Sequence, residues 1–141
     1  MKTFALDNRL QRDTILIGEA TDSLLLLMND CRYPWFIVVP TIADVSEWFD
    51  LPTAVQASLH GQCIQLGKCI RQAFECEKIN IAALGNIVRQ MHIHVIGRFE
   101  QDPAWPGPVW GHSPAIAYDE QQLARCKDLL LAQQDLPFNL L

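Results

Sequence analysis

The stretch Lys78–Phe99, KINIAALGNIVRQMHIHVIGRF, decides the fold because it combines a strand-like alternation with two closely spaced histidines. Successive side chains on a β-strand point to opposite faces. Gln90, His92, His94 and Ile96 should therefore share one face, and the apolar residues between them should take the other. The stretch contains no Asp or Glu, although acids outnumber bases in the whole chain. Two neighbouring imidazoles without a nearby carboxylate predict a face that binds an anion.

The residues before this stretch alternate between short β-type runs and helical periodicity. Pro40 should end the third run because proline cannot donate to a strand ladder. The pattern predicts strands over 14–17, 23–28 and 35–39, a helical turn over 44–49, and a long helix over 53–74. Strands over 79–83 and 90–96 then follow, joined as a hairpin through 84–89. We therefore predict an α+β fold in which five antiparallel strands form a sheet and the long helix packs on it.

The last part of the chain has a different composition. Residues 102–114, DPAWPGPVWGHSP, are rich in proline and glycine but hold two tryptophans, which predicts an ordered loop rather than a linker. A C-terminal helix is expected over 119–133. We interpret the tryptophans as core or interface anchors. The whole chain, 1–141, is predicted to be one domain in which 100–141 form a Pro/Trp-rich loop and a helical extension.

Composition excludes several function classes. A net charge of −5 and a pI near 5.2 argue against nucleic acid as the main partner. The five cysteines are odd in number and form no C-x-x-C pair, which is typical of cytosolic thiols and not of a disulfide framework. The longest apolar run, 24–28, is too short to span a membrane. We expect a cytoplasmic protein with no membrane partner.

The chemistry of the two histidines leaves three alternatives open. A neutral imidazole is a good nucleophile toward phosphorus at neutral pH, and a neighbour about 6.5–7 Å along the strand can stabilise charge on the same phosphate. An H-x-H pair on a strand is also a frequent transition-metal arrangement, although a third ligand is not evident nearby. A structural polar face is the third alternative. His60 is expected at the surface, and His112 in the loop fits either role.

Gln90-Met91-His92-Ile93-His94-Val95-Ile96 resembles the histidine triad motif, His-φ-His-φ-His-φ-φ with φ apolar, of the histidine triad (HIT) superfamily. The order of elements over residues 10 to 100 is similar as well, including the Leu-Met-Asn turn into the strand FIVVP. The tail AWPGPVWG resembles a small bacterial subgroup whose motif also begins with Gln. In this chain Gln90 stands where the superfamily has its first histidine.

The resemblance implies a nucleotide-binding hydrolase or nucleotidyl transferase that cleaves at the α-phosphate of a nucleoside phosphate derivative. His92 would be the nucleophile that forms a covalent nucleotidyl-imidazole, and His94 would bind and polarise the phosphate. Gln90 would orient the site or contact the phosphate, Asn29 would contact the ribose, and Asn86 would contact the phosphate side. The resemblance further implies a homodimer joined through the hairpin and the long helix, with no cofactor and no metal. A binding module with little turnover is the alternative, because glutamine cannot carry a proton charge.

Overall fold

The computed structural model describes residues 2–141. Its helices and strands follow one another along the chain as α1 Asn8–Asp13, β1 Thr14–Glu19, β2 Ser23–Met28, β3 Trp35–Pro40, a 3-10 helix Trp48–Asp50, α2 Thr53–Phe74, β4 Lys78–Ala82, β5 Ile93–Arg98, α3 Glu120–Leu131 and β6 Asn139–Leu140. The fold is α+β, and the bounds of the long helix are those that its periodicity predicts. In the described part of the chain, no helix combines the length and apolarity that crossing a membrane requires.

The sheet has six strands in the order β4-β5-β3-β2-β1-β6, and all neighbouring pairs are antiparallel. The predicted number of five was wrong. The sixth strand is a two-residue segment at the C-terminus that pairs with β1 through Gly18 and Glu19. Two residues cannot display a strand period, so only their tertiary pairing makes them a strand.

Apolar residues cover both faces of the sheet. Helix α2 packs on one face, and its glycine Gly67 lies so close to the sheet that an added Cβ would be 3.3 Å from a methyl carbon of Ile79. Leu10 of α1 and Val109 of the Pro/Trp-rich loop cover the other face. Every residue of β3 and β5 is consequently buried. Side chains on this second face of the sheet are therefore covered by α1 and by the Pro/Trp-rich loop.

The Pro/Trp-rich loop is ordered, as its composition predicts, and Arg98 is the reason. This arginine is 2% exposed, and its guanidinium donates to both carboxylate oxygens of Asp102, to Asn80 and to the carbonyl of Gly107. A buried charge is tolerated when it is paired and hydrogen-bonded in this way. The loop is thereby fixed against the end of β5.

Two other expectations need correction, and one helix was not predicted. The motif strand begins at Ile93 and not at residue 90, because the amide of Met91 donates to the carbonyl of Val45 rather than to β4, at 2.8 Å. The connection between β4 and β5 therefore spans 83–92 and is longer than the predicted hairpin loop. Helix α1 was not predicted, since a six-residue segment offers less than two turns of periodicity.

Candidate active site

His92 and His94 lie side by side near the centre of the sheet. His94 belongs to β5 and pairs with Ile37 of β3 and with Ala82 of β4, while His92 immediately precedes the strand. Their ring centroids are 5.0 Å apart with an interplanar angle of 68°. The two residues are only 5% and 4% exposed, respectively. Two imidazoles this close and this buried can act on one small group.

The hydrogen bonds of His92 define which of its nitrogens is free. Its Nδ1 lies 2.6 Å from the backbone carbonyl oxygen of Gln90. A carbonyl can only accept, so Nδ1 carries the hydrogen, and in the neutral ring the lone pair is on Nε2. Gly85 lies beside the ring: an added Cβ would make an ordinary contact with His92 Cε1 at 3.6 Å but would crowd the carbonyl oxygen of Val88 at 2.9 Å. The Gln90 carbonyl thus leaves Nε2 of the neutral ring as the nucleophilic nitrogen.

His94 is held in the opposite tautomer. The indole N–H of Trp35 donates to His94 Nδ1 at 2.9 Å. Since an indole N–H can only donate, Nδ1 is unprotonated and the hydrogen is on Nε2, which lies 3.4 Å from the carbonyl oxygen of Leu84. Burial, and secondly the neighbouring His92, lower the pKa of His94 from 6.5 to about 4. At neutral pH this ring is an uncharged hydrogen-bond donor.

The side chain of Gln90 is hydrogen-bonded to the N-terminal segment and not to either imidazole. Its Nε2 donates to the carbonyl of Ala5 at 2.8 Å, and its Oε1 accepts from the amide of Asp7 at 2.9 Å. The glutamine therefore ties the N-terminal segment to the residue next to His92. It contacts His92 only through its own backbone carbonyl.

Two cavities meet at His92. The first, about 400 Å³, also contains His94 and is lined mainly by apolar side chains. Its apolar wall consists of Leu10, Met28, Ile37, Leu84, Ile87, Val88 and Trp110. The second, about 380 Å³, is mainly polar and is lined by Ser46, Glu47 and Arg89. Asn86 lies in both. We call them the apolar cavity and the polar cavity.

Asn29 is not next to the histidines. Its Oδ1 accepts from the amide of Tyr118 at 2.9 Å, and it lines a further cavity of about 390 Å³. That cavity shares Arg12, Asp13 and Met28 with the apolar cavity, so the two are adjacent. Of the residues predicted from the sequence, the structure thus brings Asn86 to His92 and places Asn29 one cavity further along.

Two tryptophans belong to the site although the sequence suggested only anchoring roles for them. Trp110 packs edge-on against His94, with ring centroids 5.1 Å apart, and edge-on against Trp35 at 6.0 Å. Its indole nitrogen is buried and has no hydrogen-bond partner among residues 2–141. No local sequence signal could have revealed these contacts, because they depend on strand register and on the path of the loop. Helix α1, which contributes Arg9 and Arg12 to the apolar cavity, was missed in the same way.

The remaining histidines lie elsewhere. His60 is exposed on α2, as expected, and His112 is an exposed loop residue whose Nδ1 lies 2.9 Å from Ser113 Oγ. Across residues 2–141, no three His, Cys, Asp or Glu side chains are grouped so that they could hold a metal ion.

Comparison with known proteins gives consistent matches. A HIT domain model matches residues 9–101 of the chain. A solved histidine triad protein from Sinorhizobium meliloti is 46% identical, with a TM-score of 0.89, over 92% of this chain and 96% of its own. Another, from Marinobacter aquaeolei, is 43% identical, with a TM-score of 0.89, over 92% and 94%. A hypothetical histidine triad nucleotide-binding protein from Sulfolobus tokodaii is 13% identical, with a TM-score of 0.63, over 85% and 84%, a likeness of fold alone. No curated protein matches the chain.

Proposed function

Because this chain belongs to the HIT family, we propose that it is a hydrolase or nucleotidyl transferase acting at the α-phosphate of a nucleoside phosphate derivative. The family includes hydrolases and transferases, and its members bind nucleotides. The substrate class would be a phosphoanhydride, such as a dinucleoside polyphosphate, or a phosphoramidate. The observation that carries the proposal is the position of His92, whose Nδ1–H is bonded to the Gln90 carbonyl while the residue lines both cavities.

In the proposed reaction His92 is the nucleophile. The Nε2 lone pair attacks the α-phosphorus, a nitrogen–phosphorus bond forms, and the bond from phosphorus to the leaving group breaks with its electron pair. The leaving group takes up one proton from the solvent and departs. Water or another acceptor then attacks the phosphorus, loses its own proton, and returns the electron pair to His92. His94 would donate its Nε2–H to a phosphate oxygen and so stabilise the negative charge.

The two cavities suggest how a substrate would lie. The apolar cavity suits a nucleoside base and its sugar, with the buried, unpartnered indole N–H of Trp110 as a donor to the ligand. The polar cavity would hold the leaving group. Asn86, which lies in both, would contact the phosphate side, and Asn29 would contact the ribose from the adjacent cavity. Gln90 would act by holding the N-terminal segment against the site.

Intact-mass measurement after mixing with an adenylyl phosphoramidate tests the mechanism. We expect the wild type to gain the mass of one adenylyl group and His92→Ala to gain none. His60→Ala, at an exposed histidine of α2, is the matched control and should behave as the wild type. Melting curves establish that each variant is folded. An unlabelled wild type, or turnover that survives in His92→Ala, would contradict the mechanism.

A nucleotide-binding module with little turnover is the second candidate. The observation that favours it is the engagement of the Gln90 side chain with Ala5 and Asp7, which leaves no titratable group at the first motif position. Calorimetry with nucleoside monophosphates, followed by product analysis after long incubation, separates the two candidates. Tight binding without product from several nucleotide classes would favour the module.

We further propose that the protein is a cytoplasmic homodimer. Strand β4 lies at one edge of the sheet, and Ile81 on it is 48% exposed. Ile64 of the long helix is 54% exposed. An edge strand with unpaired backbone groups and an exposed apolar side chain favours pairing with a second copy. Light scattering after size exclusion should give twice the 16.0 kDa chain mass; a monomer at micromolar concentration would reject the dimer.

A further inference from the structure

The indole of Trp35 lies where it controls the state of His94. Trp35 is the first residue of β3 and pairs with Ile96 of β5, and this register brings its Nε1 to within 2.9 Å of His94 Nδ1. Both side chains are buried, at 7% and 4% exposure. The contact is therefore shielded from water, which would otherwise compete for the same nitrogen.

The chemistry of the two groups allows one arrangement. An indole nitrogen can donate but cannot accept, so the partner nitrogen of His94 must hold a lone pair. A hydrogen on Nδ1 would place two N–H groups against each other at 2.9 Å. Both the alternative neutral tautomer and the doubly protonated imidazolium require that hydrogen. The hydrogen bond therefore excludes both of them.

We propose that Trp35 is a positioning residue that locks His94 as the uncharged Nε2–H tautomer, so that His94 presents a hydrogen-bond donor to the substrate phosphate without becoming an acid. The tautomer of His94 follows from its hydrogen bond to Trp35, without any ligand. Only the role of His94 toward a phosphate rests on the proposed function. Trp110, edge-on to both rings, helps to hold the arrangement. A proton for the leaving group would then have to come from a group other than His94.

The charged groups and rings around His94 affect the equilibrium between its neutral and protonated forms. The titratable or charged groups that face it are His92 beside it and Arg9, Arg12 and Asp13 of helix α1, which line the same cavity. The aromatic rings that pack against it from β3 and from the Pro/Trp-rich loop are the uncharged indoles of Trp35 and Trp110. Burial and His92 both lower the pKa of His94. They therefore favour the neutral ring, as the indole hydrogen bond does.

Nitrogen NMR of the nucleotide-free protein tests the lock directly. In the wild type we expect His94 to be Nε2-protonated from pH 8 to pH 5.5, with a scalar coupling across the hydrogen bond between Trp35 Nε1 and His94 Nδ1. In Trp35→Phe, which keeps an aromatic ring but has no N–H, the titration midpoint of His94 should rise by about one pH unit. Trp48→Phe is the matched control, because Trp48 packs against the other core cluster, and should leave the midpoint unchanged.

The outcomes separate the lock from the proposed function. A wild-type His94 protonated on Nδ1, or one without the coupling, would overturn the lock even if Trp35→Phe failed to fold. An unchanged midpoint in a folded Trp35→Phe would overturn it as well. The coupling together with no adenylyl adduct would sustain the lock and reject the nucleotidyl mechanism. Adduct formation without the coupling would reject the lock and support the nucleotidyl mechanism.

Discussion

Acid should destabilise this protein through His94. The native fold lowers the pKa of His94 to about 4, by burial first and by His92 second, against about 6.5 in the unfolded chain. The unfolded state therefore binds the proton first, and the contribution of His94 to stability is complete above pH 6.5 and declines as the pH falls. Linkage gives a loss of about 2.5 kcal/mol between pH 7 and pH 4.5 from this one residue.

The comparison of wild type with His94→Gln isolates this loss. Urea unfolding followed by far-ultraviolet circular dichroism at pH 7, 6, 5 and 4.5 gives the free energy of unfolding for each protein. We expect the wild type to lose about 2.5 kcal/mol more than His94→Gln over this range. His60→Gln, at an exposed site, should follow the wild type. Parallel curves for wild type and His94→Gln would refute the reasoning.

Carboxylates do not obscure this pH window. Although burial opposes it, the hydrogen bond from Arg98 lowers the pKa of Asp102. Burial likewise opposes a lower pKa at Asp30, but the hydrogen bonds from Arg32 outweigh it and lower that pKa. A carboxyl with a lowered pKa contributes stability above its unfolded pKa of about 3.9, and that stability is lost as the pH falls further. Their losses therefore fall largely below pH 4.5.

Three other changes have defined outcomes. Gly97→Ala should lower the free energy of unfolding by about 1–3 kcal/mol in urea denaturation, because the new Cβ would be 2.7 Å from a proline ring carbon. Gln90→Ala removes two hydrogen bonds to the N-terminal segment and should speed amide exchange there about tenfold or more, measured by mass spectrometry. Trp110→Phe removes the buried, unpartnered donor and should weaken nucleoside monophosphate binding about five- to tenfold in calorimetry.

The glycine and glutamine changes have control variants, and the tryptophan change has an outcome that would contradict it. Gly61→Ala, where nothing lies within 4 Å of the new Cβ, should raise the free energy of unfolding by about 0.5–1 kcal/mol. A similar decrease in the free energy of unfolding in both glycine variants would show that crowding at Gly97 is not the cause. Gln133→Ala, at an intermediate site near the end of α3, should leave exchange at the N-terminus unchanged. Equal affinity of wild type and Trp110→Phe would remove Trp110 from the binding site.

Much of the fold could be predicted from the sequence because its signals are local. The apolar recurrence over Thr53–Phe74 gave the helix its bounds, and a short β-type run placed β2 correctly at Ser23–Met28. The motif strand was misplaced at its start, because residues 90–92 keep the alternation while the amide of Met91 donates to Val45. The sixth strand and helix α1 were missed since each is too short to display a period.

The sequence by itself determined the two histidines and their spacing, and it predicted an anionic ligand for such a pair, since these inferences depend only on residue types and on strand alternation. Tertiary structure alone decided what each imidazole can do. The Gln90 carbonyl leaves His92 a free Nε2, and the Trp35 indole leaves His94 an Nε2–H. A tautomer is set by the partner of the other ring nitrogen, and here one partner is a backbone carbonyl and the other lies 59 residues away. That is why two identical side chains two residues apart differ at Nδ1, which faces an acceptor in His92 and a donor in His94.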